Sequence, residues 1–394
     1  MRLVGFRCLS RTVLLLTTCL TLVSCTPLEL TPSPFQATPG VFATRESAAP
    51  LPAQMQDIDG RGLDIAERRL VDLYKRVAPA VVTVTTHVQR RGFFAELVPR
   101  EGFGSGFVID DDGHILTNFH VIEGAQHIEV EFEEGVSFAA EVVGHDSRFD
   151  LALLKIDAPP ELLQAVEFGS SAALQVGQRA VAIGNPFGKY RRSLTTGVIS
   201  GLERTLEAGG DRYVGSIIQI DAAINQGNSG GPLLDSSGRV IGMITALFSR
   251  SGANTGVSFA LPVDKIVRAL PELKSLGRYR HPDLGIRFGY QITPQVAAAL
   301  DLSVEEGLLL VQLERGSPLD KVGVRGAQER IILWNRQVYV GGDILTAIDG
   351  QPVGSQKALQ LRLEPLQVGD AVTVSLLRGD TSYETRVVLT EDSE

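Results

Sequence analysis

The chain has 394 residues, 44% hydrophobic and 21% charged, a balance that excludes the disordered and membrane-embedded extremes at a length beyond what one core usually serves. Its formal charge of −9 becomes −12 once a leader with three arginines and no acid is removed, which excludes a nucleic-acid partner because phosphate binding needs a basic surface. The three cysteines, Cys8, Cys19 and Cys25, lie at the extreme N-terminus, and the six histidines lack the His-x-x-x-His spacing of two ligands on one helical face. Neither a metal nor a cofactor is expected.

Residues 1–25 read as a signal sequence: Arg2, Arg7 and Arg11, then an apolar run from Thr12 to Val23 that is too short for the ~20 residues a membrane span needs. Leu22-Val23-Ser24-Cys25 resembles a bacterial lipobox, which implies cleavage before Cys25 and a lipid on its sulfur. Residues 26–60 carry six prolines among Ser, Thr, Ala and Gln and form a linker, able to reach ~100 Å if fully extended.

From Asp64 the pattern turns helical, with Ile65, Leu70, Leu73, Tyr74 and Val77 on one stripe and Pro79 as the stop. Short Val- and Ile-rich strands follow: Ala80 to His87, Gly104 to Ile109, Ile128 to Phe132, Leu151 to Ile156, Ala180 to Gly184, Ile217 to Ile220, Val240 to Ala246 and Gly256 to Ala260. Such spacing indicates barrels or sandwiches rather than βαβ units. Gly102-Phe103-Gly104-Ser105-Gly106 is not a nucleotide-binding loop, because it opens a strand and not a helix; close packing between strands is its expected role. A helix with Val263, Ile266, Val267 and Leu270 inward is expected after Pro262, and Pro271 to Arg280 reads as a hinge. Beyond it Thr293-Pro294 and Ser317-Pro318 each offer an N-cap followed by proline, and strands are expected at Gly307 to Leu313, Ile344 to Ile348, Val372 to Leu377 and Glu384 to Leu389. The chain shows no internal sequence repeat.

The chemistry sits in Asp221-Ala222-Ala223-Ile224-Asn225-Gln226-Gly227-Asn228-Ser229-Gly230-Gly231-Pro232. Ser229 among glycines is a candidate nucleophile, and it gains meaning from His120 in Thr117-Asn118-Phe119-His120-Val121 and Asp150 in Asp150-Leu151-Ala152, in the order His, Asp, Ser of one triad type. His120 would take the serine proton and Asp150 would fix the imidazole, with Thr117 or Asn118 supporting the histidine backbone. Gly227 permits a backbone in which its own amide and that of Ser229 both face a developing oxyanion. The Gly-x-Ser-x-Gly spacing of an esterase elbow is also present, but the strand-rich context and the triad order contradict that fold.

At this point the chain resembles the HtrA/Deg family of ATP-independent serine proteases, from about Leu63 to Leu389. The likeness rests on the motifs around His120, Asp150 and Ser229, on Ala182-Ile183-Gly184-Asn185-Pro186-Phe187-Gly188, and on Asp283-Leu284-Gly285-Ile286. It implies a mostly β architecture: a chymotrypsin-like double β-barrel over residues 61–273 and a C-terminal PDZ domain over 278–391. It also implies a trimer, unfolded polypeptide substrates, activity modulated by C-terminal peptides at the PDZ domain, and an exported, envelope location. Arg204 falls where the family carries a regulatory arginine in a loop. Asn228 stands where trypsin-like enzymes carry the aspartate that pairs with a freed N-terminus, which disfavours zymogen cleavage as a switch. Ala223 occupies the position of their specificity carboxylate, so a small aliphatic P1 residue is expected, with Thr245, Ala246 and Leu247 beside that pocket. Asp283, Leu284, Gly285 and Ile286 resemble the PDZ carboxylate-binding loop, in which members typically have an aromatic residue where Asp283 stands. Residues 326–341, with the sole tryptophan Trp334, look inserted. The competing reading is a chaperone or peptide-binding scaffold with little proteolysis.

Overall fold

The computed structural model describes residues 62–91, 97–133, 135–209, 212–245 and 256–392; the leader, the linker, Cys25, Ala246 and Leu247 lie outside the described residues. Helix α1 (Ile65–Val77) begins where a capping box predicts, the Asp64 side chain accepting the Glu67 amide and the Glu67 side chain accepting that of Asp64, both at 2.8 Å. Leu73 and Val77 are buried, whereas Ile65 is exposed, so the inward stripe starts a turn later than its spacing suggests.

Six strands then close a first barrel: β1 (Val81–Arg91), β2 (Leu97–Val108), β3 (His114–Thr117), β4 (His127–Glu131), β5 (Ser137–Asp146) and β6 (Leu151–Ile156), in the order β1-β2-β3-β6-β5-β4, with the short helix α2 (Phe119–Ile122) after β3. A second barrel contains β7 (Arg179–Gly184), β8 (Ser193–Gly209), β9 (Arg212–Ile220), β10 (Pro232–Leu234), β11 (Val240–Thr245) and β12 (Ser258–Pro262), in the order β10-β11-β12-β9-β8-β7. The two six-stranded barrels constitute a structural duplication that has no counterpart as a sequence repeat. Closure removes the sheet edges, and many different inward-facing side chains fill a barrel equally well.

Strand β6 shows how two cores share one strand. Ala152, Leu154 and Ile156 point into the first barrel, while Leu151 and Leu153 point the other way into a core between the barrels with Phe107, Ile183 and Met243. The period-2 alternation is present, but both faces are covered, and the strand therefore reads as continuously apolar. Helix α3 (Val263–Leu276) caps the same inter-barrel core with Ile266, Ala269 and Leu273 and ends at Gly277 in a left-handed conformation. The sequence expectations for this segment are corrected twice. Pro271 is inside the helix and no hinge forms there, the cost of an interior proline being offset by burial of the residues around it. Val267 faces solvent, and Lys265 occupies an inner position instead.

The C-terminal unit starts with β13 (Pro282–Asp283) and β14 (Ile286–Ile292), followed by α4 (Pro294–Ala299), β15 (Gly307–Leu313) and α5 (Pro318–Lys321); Thr293 and Ser317 cap the two helices with their side chains. Residues 326–341 form a separate hairpin, β16 (Glu329–Leu333) and β17 (Arg336–Val340), whose turn residues Trp334 and Asn335 both have positive φ, with Trp334 exposed. Then come β18 (Ile344–Ile348), β19 (Gln351–Pro352), α6 (Gln356–Leu363), β20 (Ala371–Arg378), β21 (Thr381–Val388) and β22 (Thr390–Glu391). The main sheet runs β14-β15-β18-β20-β21, so β14 is an end strand. Helix α6 also packs on β9: Gln360 Oε1 accepts the Tyr213 amide at 2.9 Å, and Glu364 Oε2 accepts that of Gly215 at 2.8 Å. Lys265 completes this contact with an ion pair to Glu364 and a 2.7 Å bond to the Gly215 carbonyl.

Candidate active site

Asp150, the turn residue directly before β6, lies in the left-handed region at φ 55°, a conformation that aspartate tolerates better than most residues. Asn118 Nδ2 donates to its carbonyl at 2.9 Å and helps hold it there. From that position the Asp150 carboxylate grips His120 twice, through Oδ1 to the His120 amide at 2.9 Å and through Oδ2 to Nδ1 at 2.7 Å. Thr245 Oγ1, on the last residue of β11, donates to the same Oδ2 at 2.9 Å. A carboxylate on Nδ1 keeps the proton there and leaves Nε2 as the acceptor. The Asp150 side chain is only 5% exposed against 27% for that of His120, so the acid is shielded while the base is reachable.

Ser229 lies between β9 and β10 and is buried. The chain after it is clamped to β11, with the Gly230 amide donating to the Ile244 carbonyl and the Ile244 amide to the Gly231 carbonyl, each at 2.9 Å. Thr245, which holds Asp150, is the next residue. A Cβ on Gly230 would lie 2.1 Å from the Ser105 carbonyl oxygen and 3.2 Å from the Asn118 nitrogen, so only glycine lets this chain pass so close to the His120 segment. The fold therefore packs the Ser229 loop against the segment that carries His120 and against the strand whose Thr245 holds Asp150. Gly227 adopts φ 101°, the conformation that the sequence reserved for glycine there.

Ser105 is the residue that sequence reasoning missed. Its amide donates to the Ser229 carbonyl at 2.7 Å, and its Oγ donates to the Gly227 carbonyl at 2.6 Å and accepts the Asn185 amide at 2.8 Å. This side chain on β2 thus fixes the peptide plane following Gly227 from the opposite barrel. The only available signal was a small polar residue set among glycines in a strand, which reads equally well as packing. The expected supports of the histidine also have other partners: Thr117 Oγ1 donates to the Ser105 carbonyl at 2.7 Å, and Asn118 serves Asp150.

The remaining expected residues are placed as follows. Ala223 is half-buried beside the nucleophile loop, and the Thr245 hydroxyl is directed at Asp150. Arg204 lies in strand β8 and not in a loop, exposed, with Nε donating to Gln219 Oε1 on β9 at 2.9 Å. Asp283 is on β13, Leu284 and Ile286 are buried, and the Gly285 amide donates to Asp283 Oδ2 at 2.7 Å. Burial, reinforced by the charge of Asp392, pushes the Asp283 carboxyl above its ordinary value. A cavity of about 670 Å³ runs beside it between β14 and α6, lined by Ile286, Phe288, Leu308, Leu359 and Leu363. Asp110, Asp112 and His114 form the one group with metal-ligand composition among the described residues, and Lys274 Nζ donates to Asp110 at 2.7 Å.

Comparisons with known proteins agree with this geometry. Residues 104–243 match the model of a trypsin-like peptidase domain, and residues 282–389 that of a PDZ domain. The chain is 40% identical over 376 residues to the chloroplastic protease Do-like 1 of Arabidopsis thaliana, covering 93% of this chain and 80% of that protein. It is 35% identical over 291 residues to a probable periplasmic serine endoprotease, DegP-like, of Rickettsia conorii, covering 74% of this chain and only 54% of that longer protein. Among solved structures, the HtrA-type protease AlgW with a decapeptide superposes with a TM-score of 0.66 at 29% identity, over 82% of this chain and 99% of the other. These matches define a trypsin-like serine endopeptidase carrying one PDZ domain. The chain belongs to the HtrA/Deg family of serine proteases.

Proposed function

We propose that Ser229 is the acylating nucleophile, His120 its general base and then the acid for the leaving amine, and Asp150 the group that orients and stabilises the imidazolium. The observation that carries this reading is the double grip of Asp150 on His120, joined through Thr245 to the strand that clamps the Ser229 loop. The amides of Gly227 and Ser229 act as the oxyanion donors. Ala223 and Thr245 border a pocket for a small aliphatic P1 side chain. Asn228 leaves no carboxylate for an N-terminal trigger, so activity is set by loop order and not by processing.

The substrates in this reading are unfolded or damaged exported polypeptides, cleaved without ATP in the cell envelope, a placement supported by the periplasmic relatives. Residues 1–25 are the lipoprotein-type signal and Cys25 the lipid attachment point. Residues 26–60 are the tether, 61–273 the protease domain and 278–391 the PDZ domain, whose groove takes an extended peptide along β14. The working unit is a trimer, and Arg204, on the strand facing β9, reports groove occupancy to the active site. Digestion of casein by the chain from residue 26 onward, beside its Ser229→Ala variant, tests the assignment. Cleavage by the unmutated chain alone, without ATP or metal, is expected. If neither form cleaves while both suppress casein aggregation, the protein is a scaffold and the catalytic assignment falls.

A further inference from the structure

The Asp283–Ile286 loop faces an anion that the protein itself supplies. The Gly285 amide donates to Asp283 Oδ2 at 2.7 Å. Asp283 is half-buried and held by main-chain pairing of β13 with β22, opposite Thr390. The charges around it are engaged elsewhere: Arg148 with Asp392 at 2.7 Å, Arg287 with Glu314 at 2.9 Å, Glu364 with Lys265, and His281 with Asp146 at 2.6 Å. Lys357 lies 5.5 Å from the Tyr213 ring centre, and Arg212 lines the same cavity.

A peptide that ended in this loop would have to bring a second carboxylate against the first and compete with it for the Gly285 amide. Like charges a few ångströms apart in a half-buried site repel strongly, and the displaced Asp283 would lose the hydrogen bond that accompanies its burial. The rest of the groove carries no such conflict. Strand β14 is at the end of its sheet, and the apolar side chains of Ile286, Phe288, Leu308, Leu359 and Leu363 line the cavity along it. That arrangement suits strand addition, with alternate side chains of the guest seated in the wall.

Resting on the reading of this groove as a peptide site, we infer that it is built for internal segments: an extended stretch of polypeptide with no free terminal carboxylate pairs with β14 while Asp283 retains the Gly285 amide. Asp283 is then a specificity-determining residue, one that rejects the C-terminal ligand implied by likeness to PDZ domains. The ligand class fits an enzyme of unfolded chains, in which each molecule exposes many apolar internal stretches and one C-terminus.

The test uses the full chain carrying Ser229→Ala, so that the probe survives, and a dye-labelled peptide of alternating valine and serine in two forms, free acid and C-terminal amide. Binding is read by fluorescence anisotropy near neutral pH. With Asp283 present, the amide is expected to bind at least as tightly as the acid. Asp283→Asn, which removes only the charge, and Asp283→Ala, which vacates the loop, should each tighten the acid about tenfold and move the amide less than about threefold. Because β13 is held by main-chain pairing, neither variant removes a fold contact of the strand. Tighter binding of the acid with Asp283 present, or an acid affinity indifferent to both substitutions, overturns the inference and leaves the groove a peptide site. Absence of binding by either peptide to any of the three proteins overturns the groove reading and the inference with it.

Discussion

Ser105→Ala is the most informative single change, because it tests whether the first barrel organises the oxyanion loop of the second. The substitution removes one hydroxyl and strands two groups, the Gly227 carbonyl, bonded at 2.6 Å, and the Asn185 amide, bonded at 2.8 Å. Ser105 is fully buried and Asn185 is 2% exposed, so bulk water does not replace the lost partner. A buried polar group left without a partner costs about 1–3 kcal/mol, and two together should lower stability by about 2–6 kcal/mol. For a fold of this size that is a drop in Tm of several degrees, roughly 4–10 °C. The catalytic consequence is bounded separately. Complete loss of one oxyanion donor costs about 10²–10³ in kcat. Here both proposed oxyanion amides remain, and the peptide plane that loosens is the neighbouring one between Gly227 and Asn228, so a fall of roughly 10–100-fold in kcat with KM little changed is expected. Steady-state cleavage of a fluorogenic peptide and a thermal melt on the same samples give both numbers. A kcat within about twofold of the parent, together with an unchanged Tm, would refute the reasoning, because it would mean that Ser105 fixes neither group.

Four further outcomes follow from the same geometry. Asp150→Asn should leave the melt nearly intact but lower kcat by about 10⁴, since the imidazole loses its tautomer; a loss below about tenfold would remove Asp150 from the mechanism. Gly230→Ala places a Cβ 2.1 Å from the Ser105 carbonyl oxygen, so it should lower Tm sharply and abolish activity; an active, equally stable variant contradicts the close passage described here. Lys265→Met leaves Glu364 buried without its cation and should destabilise by about 3–5 kcal/mol, with Lys265→Met/Glu364→Gln recovering about half in urea titrations; no recovery would mean that packing, not charge, makes the contact. Burial alone would raise the Asp146 carboxyl, but hydrogen bonding and charge from His281, with the amides of Phe149 and Arg148, outweigh it and hold it below the ordinary carboxylate value. A carboxylate lowered in the folded state contributes its stability fully above its unfolded pKa, about 4, and loses it as pH falls through the folded value. Asp146→Asn should therefore be less stable than the parent at pH 6 by urea unfolding, with the gap closing at acid pH; a gap that widens on acidification refutes the sign.

The sequence by itself determined a good deal. Ser229, His120 and Asp150, the residues proposed as nucleophile, base and acid, stand out by type and order because that chemistry admits few alternatives, and the φ of 101° at Gly227 is one that a side chain would oppose. Strands such as Leu151–Ile156 and Gly307–Leu313 are read to the residue, since their apolar runs end at turn signals, and the caps at Thr293 and Ser317 are visible because capping is local. The tertiary structure alone decided what depends on groups far apart in the chain. The long strand Ser193–Gly209 was missed, its polar and glycine-rich sequence being held by pairing with β7 and β9 and not by its own periodicity. Pro271 reads as the start of a hinge, yet contacts across the inter-barrel core keep its helix going. Ser105 is unremarkable in a sequence window and becomes a support of the site only when the two barrels bring Gly227 against it, while Asn118 stands out beside His120 but finds its partner, the Asp150 carbonyl, only when the first barrel closes. Asp283 was visible as an unusual residue for its place, but the 2.7 Å bond that turns it into an occupant of its own loop exists only in the folded chain. Local rules fix what a few neighbouring residues satisfy among themselves; the partner of a buried polar group is chosen by the fold.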